Sequence, residues 1–229
     1  MNIKHHNKNN HLTKNHNTNN STQILEYNEL QLLLEEFKNR EPYHYYLVFL
    51  IAHSGLRISE ALALQWKDID FEDRIITVER GFSRGRATEL MCKGREIDIS
   101  ENLIQILKEF YELSKDKMKD GHESWLFLYS NGPGRWLFLN PKGDPIKRLD
   151  NWRKRVFIPI AEIVEKKIKD EKNKTIKIRP HMLRHTFARM LIDQGADPKY
   201  VSMQLGHQGV KTTLDIYSHF LKRKGGQSG

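Results

Sequence analysis

Residues 42–52 read Pro-Tyr-His-Tyr-Tyr-Leu-Val-Phe-Leu-Ile-Ala, a run that opens on proline and is apolar on most sides. Proline suits the first turn of a helix, where its missing N–H has no partner to lose. A helix that is apolar around most of its circumference has to be buried, so the rest of the fold must cover it. The segment before it is one-sided instead: Leu30, Leu33, Leu34 and Phe37 fall at helical spacing, and Asn28 with Gln31 resembles a capping box that opens this first helix. Gly55 ends the buried helix and presents Arg57 directly after it. With Glu60 three residues on, Arg57 is expected to be held inward rather than left on the surface.

Strand signals follow. Arg74 to Arg80 is rich in β-branched residues, and Glu89-Leu90-Met91-Cys92 and Arg95-Glu96-Ile97-Asp98-Ile99 read as a hairpin with Lys93 near its turn. Alternation of Ile97 and Ile99 with Glu96 and Asp98 gives one buried and one wet face. Ser100 is expected to cap a helix carrying Leu103, Ile104, Leu107 and Phe110. Trp125-Leu126-Phe127-Leu128 and Trp136-Leu137-Phe138-Leu139 flank a turn-rich linker and read as a second hairpin. Trp152 to Ile158 reads as helix, broken or kinked at Pro159, and Lys166 to Lys177 as an exposed, highly charged helix end and loop open to a DNA contact. The fold class is α+β, mainly helical with a small antiparallel sheet near residues 69–99.

Composition narrows the partners. The 229 residues carry a net charge of +9, which favours a polyanion. No apolar run is long enough to span a bilayer, and no apolar stretch before a cleavage site marks a signal peptide. The single cysteine, Cys92, excludes an intramolecular disulfide framework. Residues 1–22, rich in Asn, His and Lys, hold too little apolar surface to order and read as a disordered tail; their histidines lack a Cys or carboxylate to complete a metal site.

The stretch from Arg179 to Phe220 concentrates chemistry. Pro180 opens a helix that Gly195 stops, and His181 and Arg184 share one face of it. Asp197-Pro198 opens another, Gly206 ends it, and His207 stands at that end; Thr212 to Tyr217 reads as a further short helix. A fixed cation, two imidazoles and a phenol are what a metal-free attack on a phosphodiester needs. His181 and His185 would also suit a metal pair, but the guanidinium of Arg184 beside them would repel a divalent ion, so His185 is read as packing inward and His181 as facing the site.

The segment resembles the C-terminal half of the tyrosine recombinase (phage integrase) catalytic domain. The likeness rests on His181-Met182-Leu183-Arg184-His185-Thr186-Phe187-Ala188, on Leu205-Gly206-His207 and on Tyr217. Ser54 to Leu62 is similar to the first arginine box of that family, and Cys92-Lys93-Gly94 with Arg95 to Ile99 to the hairpin carrying its lysine. The resemblance covers residues 23–221. It implies a catalytic domain over that range, a flexible tail at 222–229 and no N-terminal core-binding domain.

It also implies roles. Arg57 and Arg184 would hold the non-bridging oxygens of the phosphate, His207 would donate a further hydrogen bond, and Tyr217 would be the nucleophile. His181 would act as general base, Lys93 as general acid toward the 5′ oxygen, and Glu60 would orient the cations. The product would be a 3′-phosphotyrosyl bond, made without metal or cofactor. The implied partner is double-stranded DNA, with dimers or tetramers on it and no membrane, in the cytoplasm at the nucleoid or in an organelle. A non-catalytic DNA-binding remnant of the scaffold and a type IB topoisomerase-like nicking-closing enzyme are the alternatives.

Overall fold

The structure, a computed structural model, describes residues 24–89, 94–116 and 136–207. Its centre is α2 (Pro42–Ser54), where Leu47, Val48, Leu50, Ile51 and Ala52 are all buried. α1 (Tyr27–Arg40), α4 (Glu101–Asp116) and α7 (Pro180–Asp193) pack on it, as its apolar circumference requires. α1 presents Leu30, Leu33, Leu34 and Phe37 to this core, and α4 presents Leu103, Ile104, Leu107 and Phe110. Tyr46, Phe110 and Phe138 stack in series, joining α2, α4 and the segment after Trp136.

The start of α1 differs from expectation. The capping box is made by Glu26 and Glu29, not Asn28 and Gln31: the Glu29 side chain accepts from the Glu26 N–H at 3.0 Å. Glu29 does this while buried because Lys174 donates to it at 2.7 Å. The stretch from Lys166 to Lys177 is mostly exposed, as read, but several of its lysines are engaged by carboxylates. Lys167 bonds Glu36 at 2.6 Å, Lys177 bonds Glu165 at 3.2 Å, and Ile176 and Ile178 are buried.

α2 ends as read, with Gly55 at φ 66°, and α3 (Ile58–Leu62) follows directly. β1 (Ile69–Asp70), β2 (Ile75–Val78) and β5 (Arg95–Asp98) form one antiparallel sheet with β2 in the middle, and β3 (Arg80–Ser83) and β4 (Arg86–Glu89) form another. Of the expected pairing of residues 89–92 with 95–99, residues 90–93 lie outside the described residues, and Glu89 pairs elsewhere. Glu89 faces Arg80, and Arg95 faces Val78. The reason is the turn at Arg84-Gly85, both at positive φ (48° and 79°), the backbone of a tight two-residue hairpin.

Ser100 lies where a cap was expected, accepting from the Leu103 N–H at 3.3 Å. In the second tetrad, Trp136 bridges to Gln65 and Leu139 to Pro145; the first tetrad, at 125–128, lies outside the described residues. Pro159 does not break its helix. α5 (Leu149–Trp152) runs into a π-helical turn (Arg153–Phe157) and then α6 (Ile158–Lys172). The wider turn accommodates a proline ring that would collide with the carbonyl of Arg155 in a regular α-helix. α8 (Pro198–Leu205), capped by Asp197 and closed by Gly206 at φ 62°, completes the described chain.

Candidate active site

The site forms where the ends of α2 and α8 meet the starts of α3 and α7. Arg184, in the second turn of α7, is 3% exposed. It reaches the main chain at two helix ends, donating from Nη1 to the Gly55 carbonyl at 2.7 Å and from Nη2 to the Leu205 carbonyl. These are the orphan carbonyls that helix C-termini leave without partners. Arg57 caps α3 and donates from Nη2 to the next carbonyl along, that of Gly206, at 3.4 Å. Two guanidinium groups from distant parts of the sequence thus converge on consecutive peptide units, immediately before His207.

Arg57 is not held inward as expected. Its side chain is 45% exposed, but Glu60, almost fully buried, fixes it: Nη1 donates to Oε1 and the Arg57 main-chain N–H to Oε2, each at 2.9 Å. Glu60, the residue expected to orient the cations, thus contacts both the side chain and the main chain of Arg57. Burial alone would favour the protonated acid, but hydrogen bonds and charge from Arg95 and Arg57 hold its carboxyl below the usual range.

The imidazoles lie in the field of these cations. His181 is exposed on α7, and its ring meets that of His185 edge-on at 4.5 Å. Partial desolvation of the ring, then the charges of Arg184 and Arg57, push the His181 pKa down. The same causes, in the same order, lower His207 to about 4, with His185 and Arg95 adding to them. His185, half-buried, falls to about 4 through burial and the neighbouring His181 and Arg184. All three rings are therefore neutral near pH 7, each with one nitrogen able to accept a proton. Arg184 itself is lowered to about 9 by burial and by Arg57, and stays a cation at that pH.

Arg57, Glu60, His181, Arg184 and His207 are thus brought to one region. Lys93 and Tyr217 lie outside the described residues. Among the described residues no group of three or more His, Cys, Asp or Glu is arranged to hold a metal. Nor is any described helix long and apolar enough to cross a membrane.

One member of the cluster was missed in the sequence: Arg95. Its Nη1 and Nη2 donate to the two oxygens of Glu60 at 3.1 and 2.8 Å, and its Nε donates to the Gln204 carbonyl at 3.3 Å. A signal was present. Arg95 has the same parity as Ile97 and Ile99, so it belongs to the face of β5 that the alternation marks as buried. The site also depends on close approaches that only glycine permits. A Cβ at Gly55 would stand 2.5 Å from Phe187 and 2.7 Å from Leu205, and one at Gly206 would stand 2.7 Å from the Arg95 guanidinium.

Known proteins share this arrangement of chain. The sequence profile of the phage integrase family matches residues 23–224. The tyrosine recombinase XerC of Pediococcus pentosaceus is 32% identical over 171 residues, 75% of this chain and 48% of that protein. The tyrosine recombinase XerD of Staphylococcus saprophyticus is 29% identical over 203 residues, covering 87% and 58%. Among solved structures, the Tn1549 transposon integrase in complex with transposon right end DNA superposes with a TM-score of 0.66 at 26% identity, covering 86% of this chain and 61% of that one. The chain spans about half the length of the XerC and XerD relatives.

Proposed function

The chain belongs to the phage integrase family, and from that premise we propose that it is a site-specific DNA recombinase that cuts and rejoins strands through a 3′-phosphotyrosyl intermediate. The observation that carries the proposal is the convergence of Arg57 and Arg184 on the main chain beside His207. Attack on a phosphodiester gathers charge on two non-bridging oxygens, and fixed guanidinium forks match that charge in geometry and sign. A half-exposed Arg57 beside a buried Arg184 gives one cation facing solvent and a second that strengthens the field behind it.

In this reaction the Tyr217 Oη attacks phosphorus and its proton passes to His181. The neutral state of His181 supports that role, because a base must begin unprotonated. The bond from phosphorus to the 5′ oxygen breaks, and Lys93 gives that oxygen a proton. The ester energy is kept in the P–O–Tyr linkage, so a second 5′ hydroxyl can reverse the step onto another strand. His207 donates its remaining ring N–H to a non-bridging oxygen. The partner is double-stranded DNA, a polyanion suited to the +9 chain, and exchange between two duplexes requires copies of the chain to assemble on them.

A covalent trap tests this. The protein is mixed with fragmented genomic DNA, quenched in detergent, and the protein-linked ends are sequenced, with Tyr217→Phe alongside. Adducts at 3′ phosphates that vanish in Tyr217→Phe are expected. Adducts that persist in the variant would overturn the assignment of the nucleophile. Absence of adducts at low salt and high protein concentration would overturn the strand-cutting reading. Supercoil relaxation by a monomer, with no recombinant product, would assign the same chemistry to nicking and closing.

A further inference from the structure

We propose that Arg95 is a positioning residue: it clamps the buried Glu60 carboxylate so that Glu60 can hold Arg57 against the scissile phosphate. The inference rests on the phosphoryl-transfer reading above and adds a member to its machinery.

The geometry separates Arg95 from the other cations. Its fork makes two parallel bonds to Glu60, at 2.8 and 3.1 Å, the strongest arrangement for a guanidinium and a carboxylate. Its Nε is occupied by the Gln204 carbonyl, and its side chain is 15% exposed. Gly206 lies against it so closely that a methyl there would overlap the guanidinium. Arg57, by contrast, has an exposed guanidinium with N–H groups to spare. Arg95 therefore acts on the substrate through Glu60, not by contact.

Glu60 explains why such a clamp is needed. Its two oxygens accept from Arg57 Nη1, the Arg57 N–H and both Arg95 Nη atoms. Without Arg95, this buried carboxylate would face one half-exposed arginine, with Arg184 acting only at longer range. Burial would then favour the protonated acid, and a protonated acid has lost the charge that fixes Arg57. Arg95 also ties three elements to one carboxylate: its own strand β5, α3 through Glu60, and α8 through Gln204. It follows Lys93 in the chain by two residues, so the strand that carries the clamp leads straight from the general-acid candidate.

The test is a double-mutant cycle of Arg95→Ala and Glu60→Gln, read as the single-turnover rate of Tyr217 adduct formation at saturating protein. The probe is a duplex that the wild-type chain cleaves, selected from fragmented genomic DNA. Arg95→Ala alone is expected to slow the adduct by about 10- to 100-fold, as displacement of a catalytic cation does, with Kd for the duplex within about 2-fold. In the Glu60→Gln background the same change is expected to cost less than about 3-fold, because the partner it acts through is already impaired. Arg95→Lys, which keeps the charge but not the fork, should fall between wild type and Arg95→Ala. Additive losses in the cycle, or a wild-type rate in Arg95→Ala, would overturn the proposal.

A second arm needs no DNA. The Glu60 carboxyl carbon is titrated by NMR in wild type, Arg95→Lys and Arg95→Ala. An upward movement in Arg95→Ala is expected, and an unchanged titration would overturn the clamp. If wild type forms no adduct, the strand-cutting reading fails while this arm still decides the role of Arg95. Arg95→Lys carries the decision if Arg95→Ala does not fold.

Discussion

Arg184 and Gly55, 129 residues apart, are joined by a 2.7 Å hydrogen bond from the guanidinium to the backbone carbonyl. The bond ties the helix that carries the His181/Arg184 pair to the end of the buried helix that presents Arg57. The two arginine-bearing boxes of the sequence are in this way one structural unit.

That unit leaves no room at residue 55. A methyl group there would meet Phe187 and Leu205 at under 3 Å, and the backbone is at φ 66°. Gly55→Ala should lose about 2–4 kcal/mol of stability in urea unfolding, from overpacking added to a left-handed backbone. A loss under about 0.5 kcal/mol would show that the helix ends repack freely.

Arg184→Lys should separate charge from shape. An ammonium keeps the positive charge but cannot bridge two carbonyls with a planar fork. Adduct formation on a cleaved duplex should fall by about 100-fold or more, the scale seen for removal of one oxyanion donor. Stability should fall by about 1–3 kcal/mol, because one buried carbonyl loses its donor. A variant with unchanged rate would remove Arg184 from the phosphate-holding role.

His44 predicts an acid-dependent loss of stability. Burial lowers its pKa to about 4, and its Nδ1 accepts from the Trp152 indole N–H at 3.3 Å, which requires an unprotonated nitrogen. Its folded pKa lies below the unfolded value of about 6.5, so the unfolded chain binds the proton first. The contribution is fully present above about pH 6.5 and is lost as pH falls toward 4, by up to about 3 kcal/mol. In His44→Gln, which keeps an acceptor, that part of the stability–pH slope should disappear between pH 6.5 and 4. An unchanged slope would assign the acid sensitivity to other groups.

Charge pairing predicts which lysines matter for DNA. Lys167 and Lys174 are bonded to Glu36 and Glu29, whereas Lys147, Arg148 and Arg155 make no ion pair with a described residue. Lys167→Ala and Lys174→Ala should leave the salt dependence of duplex binding unchanged while lowering stability. Lys147→Ala and Arg155→Ala should each reduce the slope of log K against log salt by about 1 for every phosphate the variant no longer neutralises. The reverse pattern would place the DNA on the α1–α6 side.

Much of this was legible in the sequence where one local signal decided the outcome. The apolar circumference of residues 42–52, Gly55 as its stop, and Asp197-Pro198 with Gly206 around α8 all read through directly. The failures were matters of competition between equally good local patterns. Residues 95–99 look like a strand in any pairing, and only the turn at Arg84-Gly85, without an Asn or Asp to announce it, sends Glu89 back to Arg80. Asn28 and Gln31 had cap chemistry, yet Glu26 prevailed because Lys174, far along the chain, compensates a buried Glu29. In the site, the residue types were visible but not their partners. Arg184 and Arg57 bind backbone carbonyls, which every residue carries and no side-chain pattern can reveal.

That choice of acceptor has a consequence for how the protein tolerates change. A carbonyl cannot be substituted away, so a change of side chain at 204 or 205 leaves the acceptors of Arg95 and Arg184 in the chain and acts on the site only through packing, since Gln204 and Leu205 are both buried. Substitution is then limited by packing at Gln204 and Leu205, and by close approach at Gly55 and Gly206, where the chain must be bare to bring that peptide group close. A saturation library across this region should return apolar residues at 205 and glycine alone at 55 and 206.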